Sequence, residues 1–166
     1  MGLKIACLSD THGYLDNRLK DFIRGCDEIW HAGDIGSTGV AEELSSIKPL
    51  KAVHGNIDGP DIRALYPEHQ RFNAGGLDVW ITHIGGYPGR YDRSVVPAIF
   101  ESPPGLFICG HSHILKVIND SKLGLLHINP GAAGRAGVHT VQTAVRFVIE
   151  GGAVKDLEVA ELERKR

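Results

Sequence analysis

The chain has 166 residues, 42 % of them hydrophobic and 23 % charged, a globular composition long enough to bury roughly two-thirds of its unfolded surface in one domain spanning 1–166. A formal net charge of −2 argues against a protein that coats nucleic acid, which would be strongly basic, but leaves a small phosphate substrate open because bound cations supply local positive charge. No apolar run approaches the ~20 residues that cross a bilayer, and Met1 to Ile5 enters a strand-like run without a signal-peptide layout. Gly2 also lacks the Ser or Thr that a myristoylation signal wants, so the expected place is the cytoplasm. Cys7, Cys26 and Cys109 are odd in number and far apart, and are expected to be reduced and structural.

In chain order, Leu3 to Leu8 reads as a buried strand. The segment from Asp16 to Cys26 reads as a helix with Leu15, Leu19, Phe22 and Ile23 on one face. A second strand covers Glu28 to Ala32, a helix capped by Ser37 or Thr38 runs to about Ile47 before Pro49, and Leu50 to His54 is a third strand. That order favours parallel strands with right-handed crossovers. Arg71 to Ala74 and Leu77 to Thr82 flank Gly75-Gly76 as a hairpin. A short helix over Asp92 to Phe100 and a buried strand over Gly105 to Cys109 follow. The last third reads as antiparallel strands: Ile114 to Ile118 with Leu125 to Ile128, then Thr140 to Ile149 with Val154 to Ala160 across Gly151-Gly152. The charged tail Glu161 to Arg166 is expected to fray.

Several apolar runs end in residues that can ligate a metal. They are Asp10-Thr11-His12, Gly33-Asp34, Gly55-Asn56-Ile57-Asp58, Thr82-His83 and Gly110-His111-Ser112-His113. Together they offer two carboxylates, four imidazoles and a carboxamide, enough for two adjacent divalent cations. Taken singly, each has a plain structural reading. Asp10 could cap a helix, Asp34 could be a turn aspartate, Asn56 could hold a left-handed turn, and His83 could be a satisfied core histidine. Their common position after strand ends is the stronger signal, because ligands in such sheets bind beyond the carboxyl ends of parallel strands.

In this order the segments resemble the calcineurin-like metallophosphoesterases, whose pattern is DxH, GDxx, GNH(D/E), a lone His and GHxH. The short chain looks like the compact bacterial and archaeal phosphodiesterases of that family, whose Asn-Pro-Gly also appears at Asn129-Pro130-Gly131. The resemblance implies an α/β fold: a two-layer mixed β-sandwich flanked by helices, layered α/β/β/α. It assigns one metal to Asp10, His12, Asp34 and His113, and the other to Asp34, Asn56, His83 and His111, with Asp34 bridging. Manganese is the first expectation, with iron, zinc, nickel or magnesium as alternatives. Asp34, Asn56 and His83 would act through metal and substrate positioning, and a metal-bridging hydroxide would attack a small phosphodiester.

The departure from the pattern is Ile57, which stands where the wider family has the histidine thought to protonate the leaving oxygen. Isoleucine cannot do so, and a general acid contributes ~10²–10⁴-fold, which turns the expectation toward diesters. His31 looks like a support of the metal site, His54 has a structural reading, Asp58 an orienting one, and His127 and His139 carry no motif support. Arg90 and Arg135 sit in glycine-rich loops from which a guanidinium could reach a phosphate, or could simply be solvated. Two alternatives come from the same resemblance: a non-catalytic scaffold like the retromer subunit Vps29, and a phosphomonoesterase. Family precedent also makes a homodimer or homotetramer an expectation.

Overall fold

The computed structural model describes residues 2–164. Its first sheet is built from β1 (Leu3–Leu8), β2 (Glu28–His31) and β3 (Leu50–Ala52), which run parallel and are linked through α1 (Asn17–Arg24) and α2 (Thr38–Ile47). The alternation along β1 explains the layering. Ile5 and Cys7 face one side into a core with Trp30, Val53, Val79 and Ile108, whereas Ala6 and Leu8 face the other with Leu19, Ile23 and Leu44 from the helices. Asp16 caps α1 by accepting from the Arg18 N–H, and Ser37 caps α2 by accepting from the Val40 N–H.

A short helix, α3 (Pro60–Leu65), leads into the second sheet. That sheet contains β4 (His69–Ala74), β5 (Leu77–Thr82), β8 (Leu106–Ile108), β9 (Leu115–Asp120) and β10 (Leu125–Pro130), in the order β4-β5-β8-β10-β9. Between β5 and β8 lie a two-residue hairpin, β6 (Gly86–Tyr87) with β7 (Arg90–Tyr91), and the one-turn helix α4 (Ala98–Glu101). The chain then returns to the first sheet with β11 (Val141–Glu150) and β12 (Ala153–Glu163), giving the order β12-β11-β1-β2-β3. Trp80, Val95, Ile99 and Phe107 form an outer core on the second sheet's far face. The expected arrangement of two mixed sheets flanked by helices is therefore present. Among the described helices none is long and apolar enough to cross a membrane.

The second sheet has a parallel centre, β5-β8-β10. Two local expectations need correction. The helix expected over Asp92 to Phe100 is helical only at Ala98–Glu101. Asp92 ties up the Ser94 N–H at 2.9 Å in a turn, and Pro97 has no N–H to give. Glu161–Glu163 do not fray; they pair with Val141–Thr143, and Leu162 packs against the helix-side core. Lys165 and Arg166 lie outside the described residues. Finally, α3 went unexpected because it buries only Ile62, too little apolar periodicity to be seen.

Candidate metal centre

The parallel strands β1, β2, β3, β5 and β8 deliver their carboxyl ends to one edge, where both sheets contribute. Asp10 and His12 follow β1, Asp34 follows β2, Asn56 follows β3, His83 follows β5, and His111 and His113 follow β8. Backbone bonds hold the turns together: Asp10 N–H donates to Gly33 O (3.0 Å), His12 N–H to Asp34 O (3.0 Å) and Gly110 N–H to His83 O (3.0 Å). Side chains reinforce them. Asp58 accepts from the N–H groups of Ile35 (3.1 Å), Gly36 (2.9 Å) and Gly55 (2.8 Å), so this residue orients two loops.

Two groups of ligand atoms form. Asp10, His12 and His113 make one, and Asp34, His83 and His111 the other, the atoms of each lying within 4.8 Å of one another. Asp34 Oδ2 stands between them, 3.4 Å from His12 Nε2 and 3.2 Å from His83 Nε2. Asp10 Oδ1 is 3.3 Å from His113 Nε2 and 3.8 Å from His83 Nε2. Asn56 joins the second group indirectly, with its Oδ1 3.0 Å from His111 Nδ1.

Backbone strain is concentrated here. Among the described residues six non-glycine positions have positive φ, and five of them are Asp10 (55°), His12 (48°), Asp34 (56°), His111 (69°) and His113 (63°). Each such residue costs roughly 1–2 kcal/mol relative to the right-handed region. A cluster of that kind marks a site whose geometry is held by its surroundings. Gly55 shows how tight the packing is, since a Cβ there would lie 2.1 Å from Asp34 Oδ1.

The electrostatics follow from burial and pairing. Burial would raise the Asp10 carboxyl, but the neighbouring imidazoles of His113 and His83 outweigh it and hold it below the usual range. Asp34 behaves alike: burial raises it, while His83 and the Ile57 N–H lower it further. In return, Asp34 and Asp10 raise His83 against its own burial. His83 Nδ1–H donates to Ala32 O at 2.7 Å, which fixes the ring and leaves Nε2 facing the carboxylates. Asp10 Oδ2 accepts from Ser9 Oγ–H (2.6 Å) and the His111 N–H (3.1 Å), which turns Oδ1 inward.

A divalent ion fits what this arrangement lacks. Asp10 Oδ1, His12 Nε2 and His83 Nε2 are buried and have no hydrogen-bond partner among the described residues. Unsatisfied buried polar atoms cost about 1–3 kcal/mol each, so three such atoms converging on one place are best explained by an ion they would share. The mixture of imidazole nitrogen and carboxylate oxygen suits first-row transition metals.

The remaining candidates separate clearly. His31 is fully buried; its Nδ1 accepts from the Gly33 N–H (3.1 Å) and its Nε2 lies 3.0 Å from Thr11 Oγ1, clamping the first two ligand loops. His54 Nδ1–H donates to Tyr66 O (2.9 Å), a structural bond. His139 packs edge-on against His113, with ring centroids 5.2 Å apart. Arg90 is exposed on β7, and Arg135 lies over the Tyr14 ring at 4.2 Å. The arginines that line a cleft together with Asn56 and His83 are instead Arg63 and Arg93, which sequence reasoning missed. Ser9 was missed too, although its place immediately before Asp10 was the available signal. Asn129 bonds Gly110 O (3.0 Å) and Ser112 Oγ (3.1 Å), holding the loop between the last two histidines.

The family model for the calcineurin-like phosphoesterase superfamily domain matches residues 3–152. A probable metallophosphoesterase from Methanothermobacter thermautotrophicus is 27 % identical over 135 residues, covering 77 % of this chain and 76 % of that protein. Among solved structures, Vps29 from Chaetomium thermophilum superposes with a TM-score of 0.75 at 15 % identity, covering 98 % of this chain and 100 % of that one. An archaeal phosphodiesterase superposes with a TM-score of 0.71 at 21 % identity, covering 96 % of this chain and 100 % of that one. At such identities the structural likenesses establish the fold.

Proposed function

The chain belongs to the calcineurin-like phosphoesterase superfamily, and we propose that it is a dinuclear metal-dependent phosphodiesterase. The observation that carries the proposal is the convergence of Asp10 Oδ1, His12 Nε2 and His83 Nε2, buried and unpartnered, around the Asp34 carboxylate. In this reading Asp10, His12, Asp34 and His113 hold one ion, and Asp34, Asn56, His83 and His111 hold the other, with manganese the first candidate. Bound ions of this kind lower the pKa of water and neutralise phosphate charge.

The chain's own residues then position and exclude. Ala32 O and the Ile57 N–H fix His83 and Asp34 in place, so the ligands need little reorganisation on loading. Asn56 and His83 line the cleft in which Arg63 and Arg93 lie, and Arg93 offers a cation to a phosphate oxygen there. Arg63 is already committed, since its Nε donates to Asp58 O at 2.6 Å. The Ile57 side chain is half exposed and carries no proton to give, so substrates whose leaving groups depart unaided are favoured. That condition fits an activated phosphodiester better than an alkyl monoester.

Purified protein supplied with manganese is expected to hydrolyse bis-p-nitrophenyl phosphate faster than p-nitrophenyl phosphate. Failure to turn over either ester across manganese, iron, zinc, nickel and magnesium would overturn the proposal. The likeness to Vps29 motivates a second reading, a scaffold that binds another protein. Turnover separates the two: the enzyme reading expects ester hydrolysis with about two metal equivalents per chain, and the scaffold reading expects none even when metal is bound.

A further inference from the structure

Two clefts open from the candidate metal centre. One, about 380 Å³, is lined by Asn56, His83 and Arg93 among others. The other, about 400 Å³, is lined by Tyr87, His111, Ile114, Lys116, His127 and Asn129. Ile84 and Asp92 line both, so they form a shared wall, and each cleft touches a candidate ligand of the second ion. A phosphorus atom held at that fork would have room for a substituent on either side. A monoester, with a single substituent, would leave one cleft empty.

The second cleft carries chemistry that holding metal does not use. Lys116 is matched to an aromatic face rather than to a carboxylate, its ammonium lying 3.7 Å from the Tyr87 ring centroid. His127 is fully buried on β10, and its Nε2 has no hydrogen-bond partner among the described residues. Burial and the Lys116 charge push this imidazole down to about 4, so it is neutral. Ser112 Oγ accepts from the Asn129 amide and from the Ile114 N–H, which leaves its own hydroxyl proton free to donate. A cation, a hydroxyl donor and an unpartnered ring nitrogen thus share a cleft with the apolar side chains of Ile84 and Ile114. Such a mixture, mostly apolar with a few placed polar groups, is what a ligand pocket requires. The counter-charge Asp92 lies on the shared wall and is engaged with the Ser94 N–H.

We propose that this cleft is a subsite for one ester substituent of the phosphodiester, and that Lys116 selects a substituent carrying a second anionic group such as a terminal phosphate. The proposal rests on the phosphodiesterase reading above. Lys116 would be a specificity residue, acting on the substituent and not on the reacting phosphorus.

The test uses the manganese-loaded full chain with three diesters: a thymidine dinucleotide, the same dinucleotide bearing a 5′-terminal phosphate, and bis-p-nitrophenyl phosphate. The wild type should favour the phosphorylated dinucleotide by about tenfold in kcat/KM, chiefly through KM. Lys116→Met should erase that preference while changing bis-p-nitrophenyl phosphate turnover far less than tenfold, and Lys116→Arg should retain it. Equal rates on the two dinucleotides, or a preference that survives Lys116→Met, overturns the subsite. Should bis-p-nitrophenyl phosphate not be cleaved at all, the phosphodiesterase reading fails, and equilibrium binding decides on the subsite separately. Calorimetric titration with thymidine 3′,5′-bisphosphate should then give a Kd about tenfold weaker in Lys116→Met than in wild type, and equal affinities would overturn the proposal.

Discussion

His83 Nε2 lies 3.2 Å from Asp34 Oδ2 while its Nδ1–H donates to the Ala32 carbonyl at 2.7 Å, so one ring joins the second sheet to the loop that follows β2 of the first. The contact binds the two sheets at the edge where their parallel strands end. It also places a bare imidazole nitrogen against a carboxylate oxygen that His12 approaches from the other group. Structure and proposed chemistry therefore meet in the same three side chains.

Asp34→Asn tests the shared carboxylate directly. The amide keeps the shape and can still accept from the Ile57 N–H, so the fold should survive. What is lost is the charge between the two groups. Metal content measured by mass spectrometry is expected to fall from about two equivalents to one or fewer, with turnover falling to background. Full retention of both ions would show that Asp34 does not bridge them.

The candidate ligands were legible in the sequence because topology did the sorting: a buried run ending in Asp, Asn or His puts that residue at a strand end. Strand periodicity was legible for the same reason, as the two faces of Leu3–Leu8 show. The left-handed backbone of Asp10, His12, Asp34, His111 and His113 was not, because contacts from distant segments impose it. Nor could the sequence separate Arg63 and Arg93 from Arg90 and Arg135. A long side chain in a loop has a reach that only the folded path of the loop decides. The return of β11 and β12 to the first sheet is similarly a long-range choice, made by pairing Leu3 with Ile149 and not by any local pattern.

Gly55→Ala examines how closely the backbone must approach Asp34. The added methyl would lie 2.1 Å from Asp34 Oδ1 and 2.4 Å from its amide nitrogen. Overpacking of this kind costs roughly 1–3 kcal/mol, and here it should also displace the carboxylate. Thermal unfolding and metal titration are expected to report both losses together. Gly59→Ala is the matched control, since nothing lies within 4 Å of a Cβ at that position. Equal behaviour of the two variants would contradict the packing argument.

His31 should make the metal-free protein sensitive to mild acid. Burial pushes this imidazole down from 6.5 to about 4, and its Nδ1 already accepts from the Gly33 N–H. The unfolded chain takes up the proton first. The stability contribution is therefore complete above pH 6.5 and is lost as pH falls toward about 4. Its size is on the order of 3 kcal/mol at full expression. Urea unfolding of the wild type should show a steeper decline through this window than His31→Gln, and parallel declines would exclude the assignment.

Ile57→His asks what the missing acid is worth. The Ile57 side chain is 48 % exposed and stands outside the apolar cores, so replacing it should change stability by no more than about 0.5 kcal/mol. Its N–H bond to Asp34 Oδ1, at 3.1 Å, belongs to the backbone and survives any residue except proline. Metal content should therefore hold. An imidazole in this place would stand beside the Asp34 carboxylate and bring a proton to the leaving oxygen. Monoesters, whose leaving groups need that proton most, should gain up to about 10²-fold, with a smaller gain for an activated diester such as bis-p-nitrophenyl phosphate. The ratio of the two rates is the informative quantity, because it cancels differences in metal loading. An unchanged ratio in a folded, metal-replete variant would mean that Ile57 does not set the proposed preference for diesters, and would leave the second cleft beside His111 to account for any such preference.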